Sequence, residues 1–234
     1  DIASLPALVE KCASADARIR QEAALELGRI GDPKGAPALI KMLKDADEKV
    51  RINAILGLGW MQSRDGVPEL IKLADGKDIP MRRRAVQALG QVGDARAIDT
   101  LLANMNHKDY FVSENAIMAL GWLKAKAAVP GLLKNATALD PKNPEQRGLM
   151  LASIRALGHI GDPSALPALE KLALEANDFP TDRRDRKVVN IYSTAQTLGL
   201  QGHAELAAAE IKAGGRKEVG IKQPDFLAGA DKFY

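Results

Sequence analysis

The chain has a single cysteine, Cys12, in 234 residues. That excludes an internal disulfide and a metal site built from cysteines. Aromatic residues are scarce at 4%, which argues against a large β-core and suits close helix-on-helix packing through the abundant alanines. No apolar run approaches the roughly 20 residues of a membrane span. An excess of charge is also missing. Lys and Arg total 33 against 30 Asp and Glu, a net charge of +3, too balanced to imply nucleic acid or an anionic membrane by itself. Without a starting Met or a recognisable leader, Asp1 reads either as a mature N-terminus or as a boundary within a longer protein, so cytoplasmic and exported forms both stay open.

Catalytic constellations are missing as well. His107, His159 and His203 show no pair at the helical spacing of a zinc site. There is no serine nucleophile elbow and no glycine loop of the kind that cradles phosphate. Cys12 sits beside Lys11 with no histidine nearby in sequence, and reads as a half-buried structural thiol. No catalytic residue, metal ligand or cofactor is assigned.

What is present is a repeat. Leu27-Gly28 returns as Leu58-Gly59, Leu89-Gly90 and Leu120-Gly121, each 31 residues on, and more loosely as Leu157-Gly158 and Leu198-Gly199 at gaps of 37 and 41. A fixed period in this range marks stacked two-helix units whose neighbours share a core. In the first full unit Asp16 is expected to cap a helix carrying Ile19, Ala23, Leu27 and Ile30. Gly31-Asp32-Pro33 then breaks it, with Asp32 as N-cap and Pro33 in the first helical position. A second helix carries Ala36, Leu39, Ile40 and Leu43 inward. Asp16, Asp47, Asp78 and Asp109 form a capping column. Arg20, Arg51 and Arg82 follow four residues later until Ser113 interrupts the row, and are read as partners of those aspartates or as bridges to adjacent repeats. Pro37, Pro68, Pro130 and Pro167 fall in first turns of second helices, where proline is tolerated. The recurring glycines cost helix stability and so imply close backbone approach between paired helices.

The resulting expectation is an all-α fold, an α-α superhelix of about six antiparallel helix pairs. Residues 1–214 form the array, with 1–14 as an N-terminal cap or partial repeat. Residues 215–234 form a tail whose Phe226, Phe233 and Tyr234 pack on the last repeat.

The segments Val50-Arg51…Ala54…Leu58-Gly59, Arg84–Asp94 and Ala156–Leu169 resemble the short HEAT-like repeat of the phycobilisome-lyase type, over about residues 5–213. The resemblance implies a solenoid. It allows lyases, chaperone-like binders and scaffolds. An iron-dependent hydroxylase resembling deoxyhypusine hydroxylase is also built on similar repeats, but would need several His-Glu pairs, and none of the three histidines is followed by Glu.

Three features are candidates for binding. The position thirteen after each glycine reads Lys41, Lys72, Ala103, Lys134, Lys171 and Lys212. On second helices, which line the concave face in HEAT-type arrays, these would form a cationic row for an acidic partner. The simpler reading is solvated lysine. The position directly after the glycine reads Arg29, Trp60, Gln91, Trp122, His159 and Leu200, with Leu56 and Met118 four residues before the tryptophans and Phe111 near the second pair. This is either an apolar contact patch or packing within each repeat. Third, the connections 137–147 and 175–187 carry about six and ten extra residues, the latter including Arg183 and Arg184. They are either binding surface on one edge or drift in loop length. The expected function is a non-catalytic scaffold that binds a protein or peptide on its concave face and loop edge, through Lys41, Lys72, Lys134, Lys171, Trp60, Trp122, Arg183 and Arg184. A bilin-lyase-like enzyme handling a chromophore and a nucleic-acid-backbone binder are the alternatives.

Overall fold

The computed structural model describes residues 4–175 and 200–214, and these are helical throughout with short turns between. The helices are α1 (Leu5–Lys11), α2 (Ala17–Ile30), α3 (Ala36–Met42), α4 (Glu48–Trp60), α5 (Val67–Ala74), α6 (Ile79–Val92), α7 (Ile98–Asn104), α8 (Tyr110–Trp122), α9 (Val129–Ala138), α10 (Pro144–Ile160), α11 (Leu166–Glu175) and α12 (Leu200–Lys212). They form two layers. The first layer stacks α2, α4, α6, α8, α10 and α12 side by side, and each helix of the second layer packs onto the first-layer helix that follows it. The expected superhelix of about six pairs is therefore what these residues build. None of these helices is long and apolar enough to cross a membrane. The connection carrying Arg183 and Arg184 and the 215–234 tail lie outside the described residues.

The repeat period becomes core at two positions. Leu27, Leu58, Leu89, Leu120 and Leu157 of the first layer are almost completely buried, as are Leu39, Leu70, Leu101, Leu132 and Leu169 of the second. Each two-helix unit exposes an apolar side that only its neighbours can cover, so burial propagates along the stack.

The capping column works as expected. The carboxylates of Asp16, Asp47, Asp78 and Asp109 accept from the backbone N–H groups of Arg18, Val50, Met81 and Val112, satisfying donors that a helix start leaves orphaned. Asp32 caps a short 3-10 turn, Pro33–Gly35, by accepting from Lys34 N, and the second helix begins only at Ala36. The arginine row does not pair with the aspartates four residues back, and its first member, Arg20, makes the other expected contact, a bridge toward the next repeat. Arg51 donates to the carbonyls of Asp45 and Ala46, and Arg82 to those of Asp75 and Gly76. Arg20 holds the Ser14 and Ala15 carbonyls and also crosses to the Asp45 carboxylate at 2.8 Å. Each guanidinium thus ties down the chain leaving the preceding second helix, where carbonyls lack helical partners. Ser113 fills the same role with its hydroxyl donating to the Met105 carbonyl.

Three expectations change. The close backbone approach lies between successive first-layer helices and not between the two helices of a pair: a Cβ on Gly28 would stand 2.4 Å from the Gly57 Cα. The extra residues of 137–147 do not make a longer loop. They lengthen α9 to 10 residues and α10 to 17, against 7 in α7 and 13 in α8. And α12, read as a second helix from Leu198-Gly199, takes a first-layer place. It packs on α10 and α11, with Ala207 facing Gly158 as Ala156 faces Gly121. Lys212 accordingly leaves the second-layer lysine row and pairs with Glu170 at 2.8 Å.

The ends of the first-layer helices alternate. α2, α6 and α10 finish on left-handed Gly31, Gly93 and Gly161. The two that end in tryptophan lack this glycine and place Gln62 (φ 51) and Lys124 (φ 50) in the left-handed region. A side chain there costs roughly 1–2 kcal/mol, so Gln62→Gly and Lys124→Gly are each expected to stabilise the protein by about 0.5–1 kcal/mol after the entropy that glycine forfeits. Thermal melts of the single variants check this, and a fall in midpoint would contradict it.

Candidate functional site

Two surfaces carry the residues singled out from the sequence. Lys41 on α3, Lys72 on α5, Lys134 on α9 and Lys171 on α11 are all exposed on second-layer helices. Lys72 spends its charge locally, on Glu69 at 2.7 Å. Neighbouring second-layer helices touch only sparsely, so this row is spread out.

The other surface belongs to the first layer. Here neighbouring helices meet at their backbones. A Cβ on Gly90 would stand 2.7 Å from Ala119 Cβ, one on Gly121 2.9 Å from Ala156 Cα, and one on Gly158 3.0 Å from Ala207 Cα. At such approach the outer stripes of successive helices merge into one continuous surface. On α8 the stripe runs Phe111, Met118, Trp122, and on α4 Ile52, Leu56, Trp60, with Leu56 the most covered of these. The spacings of four and seven put each set on one helix side. The last two turns of α4 (AILGLGW) and of α8 (AIMALGW) are wholly apolar, because one side meets the core and the other carries this stripe. Between them α6 presents a polar stripe of Arg84, Gln87 and Gln91, with Arg84 Nη1 donating to Gln87 Oε1 at 3.4 Å.

Trp60 and Trp122 are both half-buried. Trp122 leans back over the preceding helix, its Cε3 3.3 Å from where a Gly90 Cβ would be. So the Trp122 indole packs on the neighbouring first-layer helix and is still partly exposed. Phe111 is the most exposed aromatic of the described residues, at 53%. Its ring meets Tyr110 edge-on at 5.3 Å and lies 4.9 Å below the Arg83 guanidinium. Arg83 in turn bridges to Asp109, Nε to Oδ1 at 2.8 Å, while Asp109 also caps α8. That hydrogen-bonded pair holds the Asp109 carboxyl below its ordinary range and raises Arg83 above its own. Tyr110 fills the notch at Gly148 of α10, and burial together with its hydrogen bond to Glu114 pushes its hydroxyl up to about 12. It remains a neutral donor across the physiological range. Sequence reasoning found Phe111, placed Gln91 in the tryptophan column and read the glycines as close approaches, but missed Arg83 and the helix that fills each glycine notch. Those depend on which helix follows which in the stack.

No group of three or more His, Cys, Asp or Glu side chains among the described residues could hold a metal ion. Cys12 is half-buried, and burial raises its thiol above the ordinary value, which works against thiolate chemistry.

The family model for HEAT repeats matches residues 5–80 and 67–147, and that for the PBS lyase HEAT-like repeat matches residues 151–175. No curated protein matches the chain. Among solved structures, an engineered protein is similar with a TM-score of 0.61 at 22% identity, over 90% of this chain and 97% of its own. The complex of CpcE and CpcF of phycocyanin lyase from Nostoc sp. PCC7120 gives 0.50 at 22% identity, over 71% of this chain and 80% of that one. An archaeal HEAT-like repeats protein from Thermococcus onnurineus NA1 gives 0.50 at 15% identity, over 89% and 87%. At these identities the likeness is one of fold.

Proposed function

The chain belongs to the HEAT-repeat family, and from that premise we propose that it is a non-catalytic protein-interaction scaffold whose docking face is the first-layer surface carrying Trp60 and Trp122. The observation that supports this most is the spacing of the layers. A curved stack bends toward its more tightly spaced layer, and here that is the layer whose backbones meet at Gly28, Gly90 and Gly121. The tryptophan stripes then fall inside the curve and the lysine row outside. Lys41, Lys72, Lys134 and Lys171 contribute long-range attraction at most, while the concave side offers two apolar stripes for anchoring. The test is affinity capture from the source organism with the wild type, a Trp60→Ala/Trp122→Ala variant and a variant with the four lysines replaced by alanine. A partner lost with the tryptophans and kept without the lysines supports the proposal. One that follows the lysines instead contradicts it.

A further inference from the structure

One side chain on the concave surface is placed at a cost. Gln91 holds the same register as Trp60 and Trp122, 31 residues after one and 31 before the other. Its carboxamide lies in the notch at Gly59, where a Cβ would come within 2.2 Å of Oε1. There both Oε1 and Nε2 are buried with no hydrogen-bond partner. A buried amide without partners is destabilising, and an apolar side chain at this position would avoid the penalty. Gln91 as a whole is only half-buried, so rotation about its own side-chain bonds carries the amide from the notch to the surface.

Resting on the scaffold reading above, we propose that Gln91 is the hydrogen-bonding centre of a subsite for an extended peptide segment, flanked by the half-buried indoles of Trp60 and Trp122. The carboxamide offers one acceptor and a donor pair, which matches the N–H and C=O of an extended backbone. A helical segment would have its backbone groups already paired and nothing for Gln91 to take. Spacing fixes the motif. Packed helices lie about 8–10 Å apart, so the two indoles stand roughly 20 Å apart. A strand advancing about 3.3 Å per residue covers this in about six residues. The peptide therefore carries two apolar side chains about six residues apart, with a backbone amide midway over Gln91. Charge favours acidic flanks. Arg83 is neutralised by Asp109 and Arg29 by Glu26. Among the described residues Arg84 donates only to the neutral Gln87, and Arg155 is exposed on α10 of the same surface.

The experiment is selection of a random dodecapeptide display library on the full chain, followed by measurement of the selected peptides on Gln91→Leu and on Trp60→Ala/Trp122→Ala. The expected result is a pair of apolar residues about six apart with acidic neighbours, and binding about tenfold weaker to Gln91→Leu. The thermal midpoint of Gln91→Leu should be unchanged or higher, because the orphaned amide is gone. Peptides that depend on the tryptophans but not on Gln91, or that repeat apolar residues at helical spacing, overturn the subsite and leave the scaffold reading standing. Failure to select any peptide that depends on the tryptophans overturns both.

Discussion

Replacing Gly28 with alanine is expected to destabilise the protein by about 2 kcal/mol, the middle of the range for overpacking a tight core. The sign is informative, because glycine to alanine inside a helix otherwise gains up to about 1 kcal/mol. At Gly28 the new methyl would stand 2.4 Å from the Gly57 Cα and 3.2 Å from its carbonyl carbon and oxygen. Backbone cannot move aside as a side chain can, so α2 and α4 must separate and every contact between them loosens. Gly131 of α9 supplies the control. A Cβ there would meet only the tip of Met105, at 2.3 Å from Cε, and a methionine end swings away at little cost. Gly131→Ala should therefore be neutral or stabilising. Denaturant or thermal unfolding of the two variants side by side checks this. Equal behaviour would mean that the first-layer backbones are not in contact.

The second large effect is on binding. Trp60→Ala and Trp122→Ala should each weaken capture of the physiological partner by about 2 kcal/mol or more, roughly thirtyfold in Kd. Because Trp122 also packs over Gly90, its removal will cost some stability, so each variant is first shown to retain the helical signal of the wild type. Phe111→Ala, at the far end of the same stripe on α8, removes a mostly exposed ring and separates the two contributions: it should weaken binding with little change in unfolding. Replacing Lys41, Lys72, Lys134 and Lys171 together should leave affinity at physiological salt nearly unchanged, since exposed charges beyond the interface are screened within about 8 Å. A reversal of these two outcomes would move the docking face to the second layer.

The architecture is largely legible in the sequence because it is written as a period. Leu27, Leu58, Leu89 and Leu120 need no tertiary information to be placed in a common core, and the aspartate caps depend only on residues two or three along the chain. What the period does not convey is which helix each repeated position faces. Gly28 reads as a site of close approach, but its partner, Gly57, lies in the next unit and not in the same hairpin. For the same reason Arg51 and Arg82 read as partners of the nearby aspartates or as bridges to adjacent repeats, although they reach the carbonyls of the preceding turn. Insertions mislead in another way. Six extra residues between the fourth and fifth units suggest a loop, yet a longer α9 and α10 satisfy more backbone hydrogen bonds than a loop of that length could. The orphaned amide of Gln91 leaves no mark in the sequence at all, since glutamine in a column of Arg, Trp and His is ordinary until its neighbours are known.

The claim on which the rest depends is that the first-layer helices form the inside of the curve. Spin labels on an Arg29→Cys/His159→Cys variant and on a Lys41→Cys/Lys171→Cys variant, both with Cys12→Ser, span the same stretch of repeats on the first and second layers respectively. Pulsed dipolar spectroscopy should give a shorter distance between positions 29 and 159 than between 41 and 171. The opposite order would put the lysine row inside the curve and the tryptophans outside it.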